Sequence, residues 1–319
     1  MFELLGIPPQ ALFGQLLLGL INGAFYAMLS LGLAVIFGML NVINFTHGAQ
    51  YMMGAFAAWL MLTQLDIPFW AALVLAPLIV GLFGIVLEKV LLKRIYHLDH
   101  LYGFLLTFGL ALIIEGVFQW KWGSSGAPYP SPIPGGTNLG FMFLPTYRGF
   151  VVVAALVICL VTWYGIERTK FGAYLRAATE NPTLVRAFGI NVPRLITLTY
   201  GLGVGLAALA GVLAAPIQQV SALMGVNLVL VVFAVVVIGG MGSIMGSIVT
   251  GFGLGLVEGL TKVFYPPASN TVIFVVMALV LLIKPAGLFG QTKGPPTEHS
   301  SSACWRRRWR RRGSLIRCS

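Results

Sequence analysis

The sequence predicts an all-α protein that crosses a membrane several times, because it is very apolar and its apolar residues come in long unbroken runs. Of its 319 residues, 58% are hydrophobic and 9% are charged, whereas about a quarter of the residues in a soluble domain are charged. A transmembrane β-barrel would alternate apolar and polar residues in segments of about ten. The continuous apolar run from Val151 to Val161 has no such alternation. The predicted fold is therefore a polytopic transmembrane helical bundle.

Apolar segments that could span the membrane occur along most of the chain. A spanning helix needs about 20 mostly apolar residues, because its backbone groups must bond within the segment. The first segment is long enough for one long tilted helix or two short ones, and several others are shorter than a full span. We therefore expect eight to ten spans in a single membrane domain, residues 1–290. The segments are roughly 12–40, 51–65, 70–92, 104–120, 149–165, 196–217, 226–239, 245–262 and 272–284.

The distribution of Lys and Arg predicts the orientation. The loop 166–195 contains five basic residues, Lys93 and Arg94 follow the third segment, and the C-terminal tail is basic. The linkers 65–69, 218–225 and 263–271 contain no Lys or Arg. Because short basic loops stay in the cytoplasm, we expect the three basic regions and the C-terminus inside, and the Pro- and Gly-rich segment 124–140 outside.

The tail, residues 291–319, is predicted to be a disordered basic extension without an assigned function. It holds more than half of the formal net charge of +11, so the charge does not indicate a nucleic-acid-binding domain. Cys159, Cys304 and Cys318 have neither the number of a disulfide framework nor the spacing of metal ligands. The N-terminus lacks a basic region before its first apolar run, so we expect no cleaved signal peptide.

The basic loop 166–195 is predicted to contain two short helices. Its first part places apolar residues three or four apart, and in its second part Asn181 and Pro182 form a typical N-cap and first helical position. Leu184, Val185 and Phe188 would form an apolar stripe, and Gly189 is placed to end the helix. Such a helix either docks in a partner's groove or lies on the bilayer surface, and its residues leave both open.

A polar stretch from Asn41 to Phe56 interrupts the apolar runs near the start of the chain. Helical continuity would put Asn41, Asn44, His47 and Gln50 near one face, and lipid exposure of that face would be costly. The polar groups either support a translocation path, as discontinuous helices do in transporters, or bond neighbouring helices at about 1 kcal/mol or less each. We expect the segment, with Gly48, to pack around a path, and His47 itself to have a structural role.

The later spans are rich in glycine and contain few ionisable groups. Gly251, Gly255 and Gly259 are four apart, a spacing that lets helices approach closely in lipid. Glu258 and Lys262 are also four apart, which predicts a local ion pair. The chain has no G-x-x-x-x-G-K-[ST] motif, so we do not expect it to bind ATP by that route. The absence of a catalytic constellation or metal-ligand cluster predicts that it is not an enzyme and binds no cofactor.

Three blocks of the sequence resemble the permeases of branched-chain amino acid ABC transporters, from about Leu12 to about Gly290. They are "GLINGAFYAMLSLGLAVIFGMLNVINF" with the polar stretch after it, the loop that starts "RTKFGAYLRAATENPTLVRAFG", and "FAVVVIGGMGSIMGSIVTGFGLGLVE". The subgroup signature Asn-Phe-Ala-His-Gly is present at residues 44–48, with Thr46 in place of alanine. The tail after residue 294 is unlike the family.

The resemblance implies a permease subunit of an ATP-driven importer in a bacterial-type inner membrane. The implied partners are a second homologous permease, two cytoplasmic ATP-binding subunits, an extracytoplasmic solute-binding protein and the lipid bilayer, with no nucleic acid. ATP would be used by the partner subunits, and the solute would be a branched-chain amino acid, urea or a short amide. The positions that match the ATPase-coupling loop are Glu180, Asn181, Pro182, Arg186 and Gly189.

Two alternatives to an ATP-driven importer remain. An ion-coupled secondary transporter would work without partners, but the scarcity of carboxylates within the spans and the shaped loop 166–195 disfavour it. The other alternative is a membrane-embedded enzyme or a non-transport scaffold, and the lack of a convergent set of catalytic side chains disfavours the enzyme.

Overall fold

The computed structural model describes residues 8–40, 44–96, 98–140 and 142–290. Asn41 and the tail 291–319, for which we made predictions, lie outside these ranges. Within them the chain is mostly helical, with one small hairpin, which confirms the predicted polytopic bundle. The helices are α1 (Pro9–Leu40), α2 (Thr46–Leu65), α3 (Phe69–Val90), α4 (His100–Trp122), α5 (Thr146–Glu167), α6 (Lys170–Glu180), α7 (Pro182–Ala187), α8 (Val192–Ala214), α9 (Met224–Gly239), α10 (Ile244–Phe264) and α11 (Val272–Ile283).

Each predicted apolar segment lies within one of these helices, apart from residues at the segment ends, and the first segment forms a single helix. Among the described residues, six helices are long and apolar enough to cross a membrane, namely α1, α3, α4, α5, α8 and α10. Helices α9 and α11 are apolar but shorter. Helix α2 has 20 residues. Of the nine helices that match the predicted segments, it is the least typical membrane span, because its first turn is polar.

Helix α1 lies at the centre of the bundle. In its most apolar stretch 83% of the residues are buried, against 17% in α4 and 22% in α5. Helix α1 packs against α10, α8, α5 and α9, while α2 and α3 both pack against α8. The apolar outer faces of α3, α4 and α5 are therefore the surfaces available to lipid or to another subunit.

The contact between α1 and α10 is made largely through glycine. A Cβ atom added to Gly255 would lie 2.4 Å from the carbonyl oxygen of Gly19, and one on Gly259 would lie 2.4 Å from that of Gln15. At Gly251 the added atom would lie 2.6 Å from the Cα of Ala27. The three glycines predicted to pack helices thus lie where the two backbones meet.

The segment between α4 and α5 carries a small hairpin that the sequence did not predict. Strand β1 (Gly136–Asn138) pairs antiparallel with β2 (Phe143–Pro145). A backbone bridge between Ala127 and Val220 ties the same segment to the linker before α9. Two connections predicted to lie on the same side of the membrane are therefore joined to each other.

Candidate functional site

The candidate site is the polar start of α2, which follows the break after α1. The Asn44 and Gln50 side chains are at most 2% exposed and bond to each other, with Asn44 Nδ2 donating to Gln50 Oε1 at 3.4 Å. Gln50 Nε2 donates to Thr46 Oγ1 at 3.1 Å and to the hydroxyl of Tyr200, on α8, at 3.2 Å. Thr46 in turn donates to Asn44 Oδ1. The polar groups of this turn thus form one buried network that includes α8.

His47 lies outside that network, against α1. Its Nε2 atom is 3.0 Å from the carbonyl oxygen of Leu29, and its Nδ1 atom is buried without a partner among the described residues. The ring also limits the space beside Gly32, where an added Cβ would lie 3.0 Å from His47 Cε1. His47 therefore contributes to the contact between α1 and α2, and its role in transport stays a prediction.

Gly48 and Phe45 make contacts between the start of α2 and the neighbouring helices. A Cβ on Gly48 would lie 2.6 Å from the carbonyl oxygen of Gly225, at the start of α9, so these two backbones touch. The Phe45 ring packs edge-on against Phe104 and Phe108 of α4 and near Phe233 of α9. Gly48 is required at its contact, because a Cβ there would overlap the backbone of α9, and the Phe45 ring packs among aromatic side chains of α4 and α9. These two signature residues help to place α2 between α4 and α9.

A second buried polar cluster, which the sequence analysis missed, lies near the end of α3. The Glu88 carboxylate is 1% exposed and accepts hydrogen bonds from the Tyr96 hydroxyl at 2.8 Å and from Thr197 Oγ1 at 2.7 Å. Burial, and then the nearby Glu88 charge, raise the pKa of Tyr96 above its ordinary value, so its hydroxyl stays protonated and donates. Glu88 lies within the third predicted apolar segment, 70–92, and a carboxylate at that position was the signal that could have found this cluster.

The loop between α5 and α8 has the local structure that its sequence predicts. Asn181 Oδ1 accepts from the backbone N–H of Leu184 at 3.0 Å, and Gly189 follows α7 with a φ of +81°. The predicted apolar stripe divides, because Val185 is buried against the protein while Leu184 and Phe188 are 55% and 76% exposed. Two large apolar side chains one helical turn apart therefore face outwards.

The remaining residues singled out in this loop are exposed. Glu180, Pro182 and Arg186 lie on the surface. Arg176, on α6, bonds to Glu167 Oε2 at 3.1 Å and to the carbonyl oxygen of Ile166 at 3.0 Å. Arg176 thus ties α6 to the end of α5, whereas Arg186 is exposed on α7.

Two carboxylates within the spans differ in their partners. Glu258 accepts from the Tyr26 hydroxyl at 2.7 Å and pairs with Lys262, which is the predicted ion pair. Glu115, on α4, has one buried carboxylate oxygen without a partner among the described residues. Glu115 thus differs from Glu258, whose carboxylate has a hydroxyl and an ammonium partner.

A cavity of about 380 Å³ opens between α3, α5 and α8. Its walls are apolar side chains, among them Leu73, Pro77, Ile158 and Leu213, with no polar surface. A charged or zwitterionic solute would lose its hydration there without compensation. This cavity is therefore not the candidate site.

The fold, with its long apolar helices, places the chain among the multi-pass helical membrane proteins. More narrowly, the chain belongs to the family described as the permease component of branched-chain amino acid transport systems, whose model matches residues 15–282. The family predicted from the sequence is thereby confirmed.

Relatives from several bacteria cover most of the chain. The high-affinity branched-chain amino acid transport system permease protein LivH of Salmonella typhimurium is 26% identical over 292 residues, which are 87% of this chain and 95% of LivH. BraD of Pseudomonas aeruginosa, with the same description, is 28% identical over 296 residues, again 87% and 95%. LivM of Escherichia coli K12, also a permease of such a system, is 26% identical over 296 residues, 84% of this chain and 68% of LivM.

Proposed function

We propose that the chain is the permease subunit of an ATP-driven importer and forms part of the path for branched-chain amino acids or closely related solutes such as urea and short amides. Membership of the permease family supports the importer, and the names of LivH and BraD support the solute class. The chain itself is proposed to bind no cofactor. In this account the buried start of α2 supports the path, and Asn41 belongs to the same segment.

The proposed assembly contains a second permease, two cytoplasmic ATP-binding subunits and an extracytoplasmic solute-binding protein. Similarity to both LivH and LivM supports the pairing of two related permeases. The basic loop 166–195 supports an orientation with this loop and the C-terminus in the cytoplasm of a bacterial-type inner membrane. ATP hydrolysis takes place in the partner subunits.

The observation that carries the proposal is the exposed face of α7. Leu184 on α7 and Phe188 directly after it are exposed, and α7 is anchored to the protein by Val185 and capped by Asn181. A short, rigid, apolar face on a cytoplasmic loop suits insertion into a groove of an ATP-binding subunit. Arg186 lies on the same helix and adds a positive charge for an acidic rim of that groove.

Substitutions in this loop test the proposal. Phe188→Ser removes the apolar contact, Arg186→Glu reverses the charge, and Gly189→Pro is incompatible with the positive φ at that position. Each variant is expected to insert normally but to lose the ATP-binding subunit during purification in mild detergent. The matched control is Tyr265→Ser, which changes a similarly exposed aromatic residue (64% against 76%) in a linker predicted to lie outside. Undiminished co-purification with all three loop variants would contradict the docking role.

A further inference from the structure

We propose that the hydroxyl groups of Thr197 and Tyr200, near the start of α8, are positioning groups that transmit movement of the loop between α5 and α8, Thr197 to the end of α3 and Tyr200 to the start of α2. The inference rests on the proposed function, because it assigns a role within an ATP-driven cycle. The two hydroxyl groups lie on neighbouring turns of α8, and each is bonded to a different helix.

Helix α8 is closely connected to the docking helix α7. Four residues separate them, and this linker is tied back by hydrogen bonds from Ile190 N to the carbonyl oxygen of Val185 and from Val192 N to that of Ile190. Asn191 Oδ1 caps α8 by accepting from the N–H of Arg194 at 3.1 Å. Because these hydrogen bonds connect the two helices, a displacement of α7 is expected to move the start of α8.

Thr197 connects α8 to α3. Its Oγ1 atom donates to Glu88 Oε2 at 2.7 Å, and the other carboxylate oxygen accepts from Tyr96, in the connection to α4. The Glu88 side chain is buried and pairs with no Lys or Arg in the part of the chain that the structure describes. Because an unsatisfied buried carboxylate is costly, the end of α3 must follow α8 when α8 moves.

Tyr200 connects α8 to α2, three residues after Thr197. Its hydroxyl accepts from Gln50 Nε2 at 3.2 Å, and Gln50 belongs to the buried network with Thr46 and Asn44. Tyr200 is 1% exposed and Gln50 is fully buried, so no solvent replaces this contact when it is broken. The start of α2 is thereby linked to the same part of α8 that holds α3.

Thr199 provides a matched control between the two positions. Its side chain is also 1% exposed, but its hydroxyl donates to the carbonyl oxygen of Leu195 within α8, at 2.8 Å. Thr199→Val and Thr197→Val make the same chemical change two residues apart. They differ in whether a bond to another helix is lost.

The experiment uses the full complex with its ATP-binding subunits and binding protein, reconstituted in liposomes, and leucine as the solute. Uptake and ATP hydrolysis are measured together for Thr197→Val, Tyr200→Phe and Thr199→Val. We expect Thr197→Val and Tyr200→Phe to retain the ATP-binding subunits but to take up about fivefold less leucine per ATP hydrolysed, a size typical of substitutions that alter coupling between sites. Thr199→Val should keep the wild-type ratio. The ratio separates coupling from stability, because loss of folded protein lowers uptake and hydrolysis equally.

An unchanged ratio in both Thr197→Val and Tyr200→Phe would overturn the inference. Should Thr197→Val fail to fold, Glu88→Gln, which keeps the shape of the side chain but removes its charge, tests the same contact from α3. Should Tyr200→Phe fail to fold, Gln50→Met tests the Tyr200 contact from α2. An unchanged ratio there would count equally against the inference. Failure of the wild-type chain to hold any ATP-binding subunit would instead refute the proposed function.

Discussion

The glycine contact between α1 and α10 leads to the sharpest stability prediction. In Gly255→Ala the new Cβ would lie 2.4 Å from the carbonyl oxygen of Gly19 and 2.4 Å from the Cα of Gly23. Ordinary van der Waals contact begins near 3.4 Å, so the helices must separate by about 1 Å at this point. Both neighbouring atoms belong to the backbone, so rotation of a side chain cannot relieve the clash. Overpacking of this kind costs about 1–3 kcal/mol.

Gly253 is the matched control because it lies on the same helix and has no atom within 4 Å of an added Cβ. Both substitutions replace glycine by the better helix former, a gain of up to about 1 kcal/mol that cancels when the two variants are compared. Gly255→Ala is therefore expected to be about 1–3 kcal/mol less stable than Gly253→Ala.

Reversible unfolding in increasing concentrations of SDS, followed by tryptophan fluorescence, measures this difference in the free energy of unfolding. The difference should also appear on heating, where a larger fraction of Gly253→Ala than of Gly255→Ala should stay monodisperse at a given temperature. Equal stability of the two variants would refute the argument that backbone contact through Gly255 holds α1 against α10.

Two further predictions concern the polar clusters. His47→Ala removes the contact to the carbonyl oxygen of Leu29 and is expected to lower uptake more than it lowers the amount of assembled complex. Transport assays measure the uptake, and immunoblots measure the complex. Equal losses in the two would leave helix packing as the role of His47. The raised pKa of Tyr96 means that folding favours its neutral form, so this stabilisation is present below the ordinary pKa of 10.0 and is lost as the pH rises above it. The stability advantage of the wild type over Tyr96→Phe should therefore shrink above about pH 10, and a difference that stays constant from about pH 8 to about pH 11 would contradict this.

Apolar runs and local turn chemistry made the helices predictable from the sequence. An unbroken apolar run in lipid can form little other than a helix, so each predicted segment appears in the bundle. The local structure of the loop between α5 and α8 was predictable from Asn181 before Pro182 and from Gly189 after the apolar residues. Helix caps depend only on neighbours a few residues away.

Contacts between distant helices were not predictable in the same way. Small residues at a spacing of four indicate that some helix approaches α10, but nothing in that spacing identifies Gly19 and Gly23 of α1 as the partners. Glu88 shows the same limit, because its two hydroxyl donors come from residues 8 and 109 positions away. The roles assigned to the start of α2 and to the coupling loop stay predictions for the experiments above.

Isolation of the complex from native membranes tests the central claim most directly. The tagged chain would be purified in mild detergent, and the proteins bound to it would be identified by mass spectrometry. We predict recovery of an ATP-binding subunit and a second permease. We also predict uptake of leucine when the binding protein is added, with urea and short amides tested as competitors of leucine. Purification of the chain alone, with transport driven by an ion gradient in the absence of ATP, would contradict the account and identify a secondary transporter.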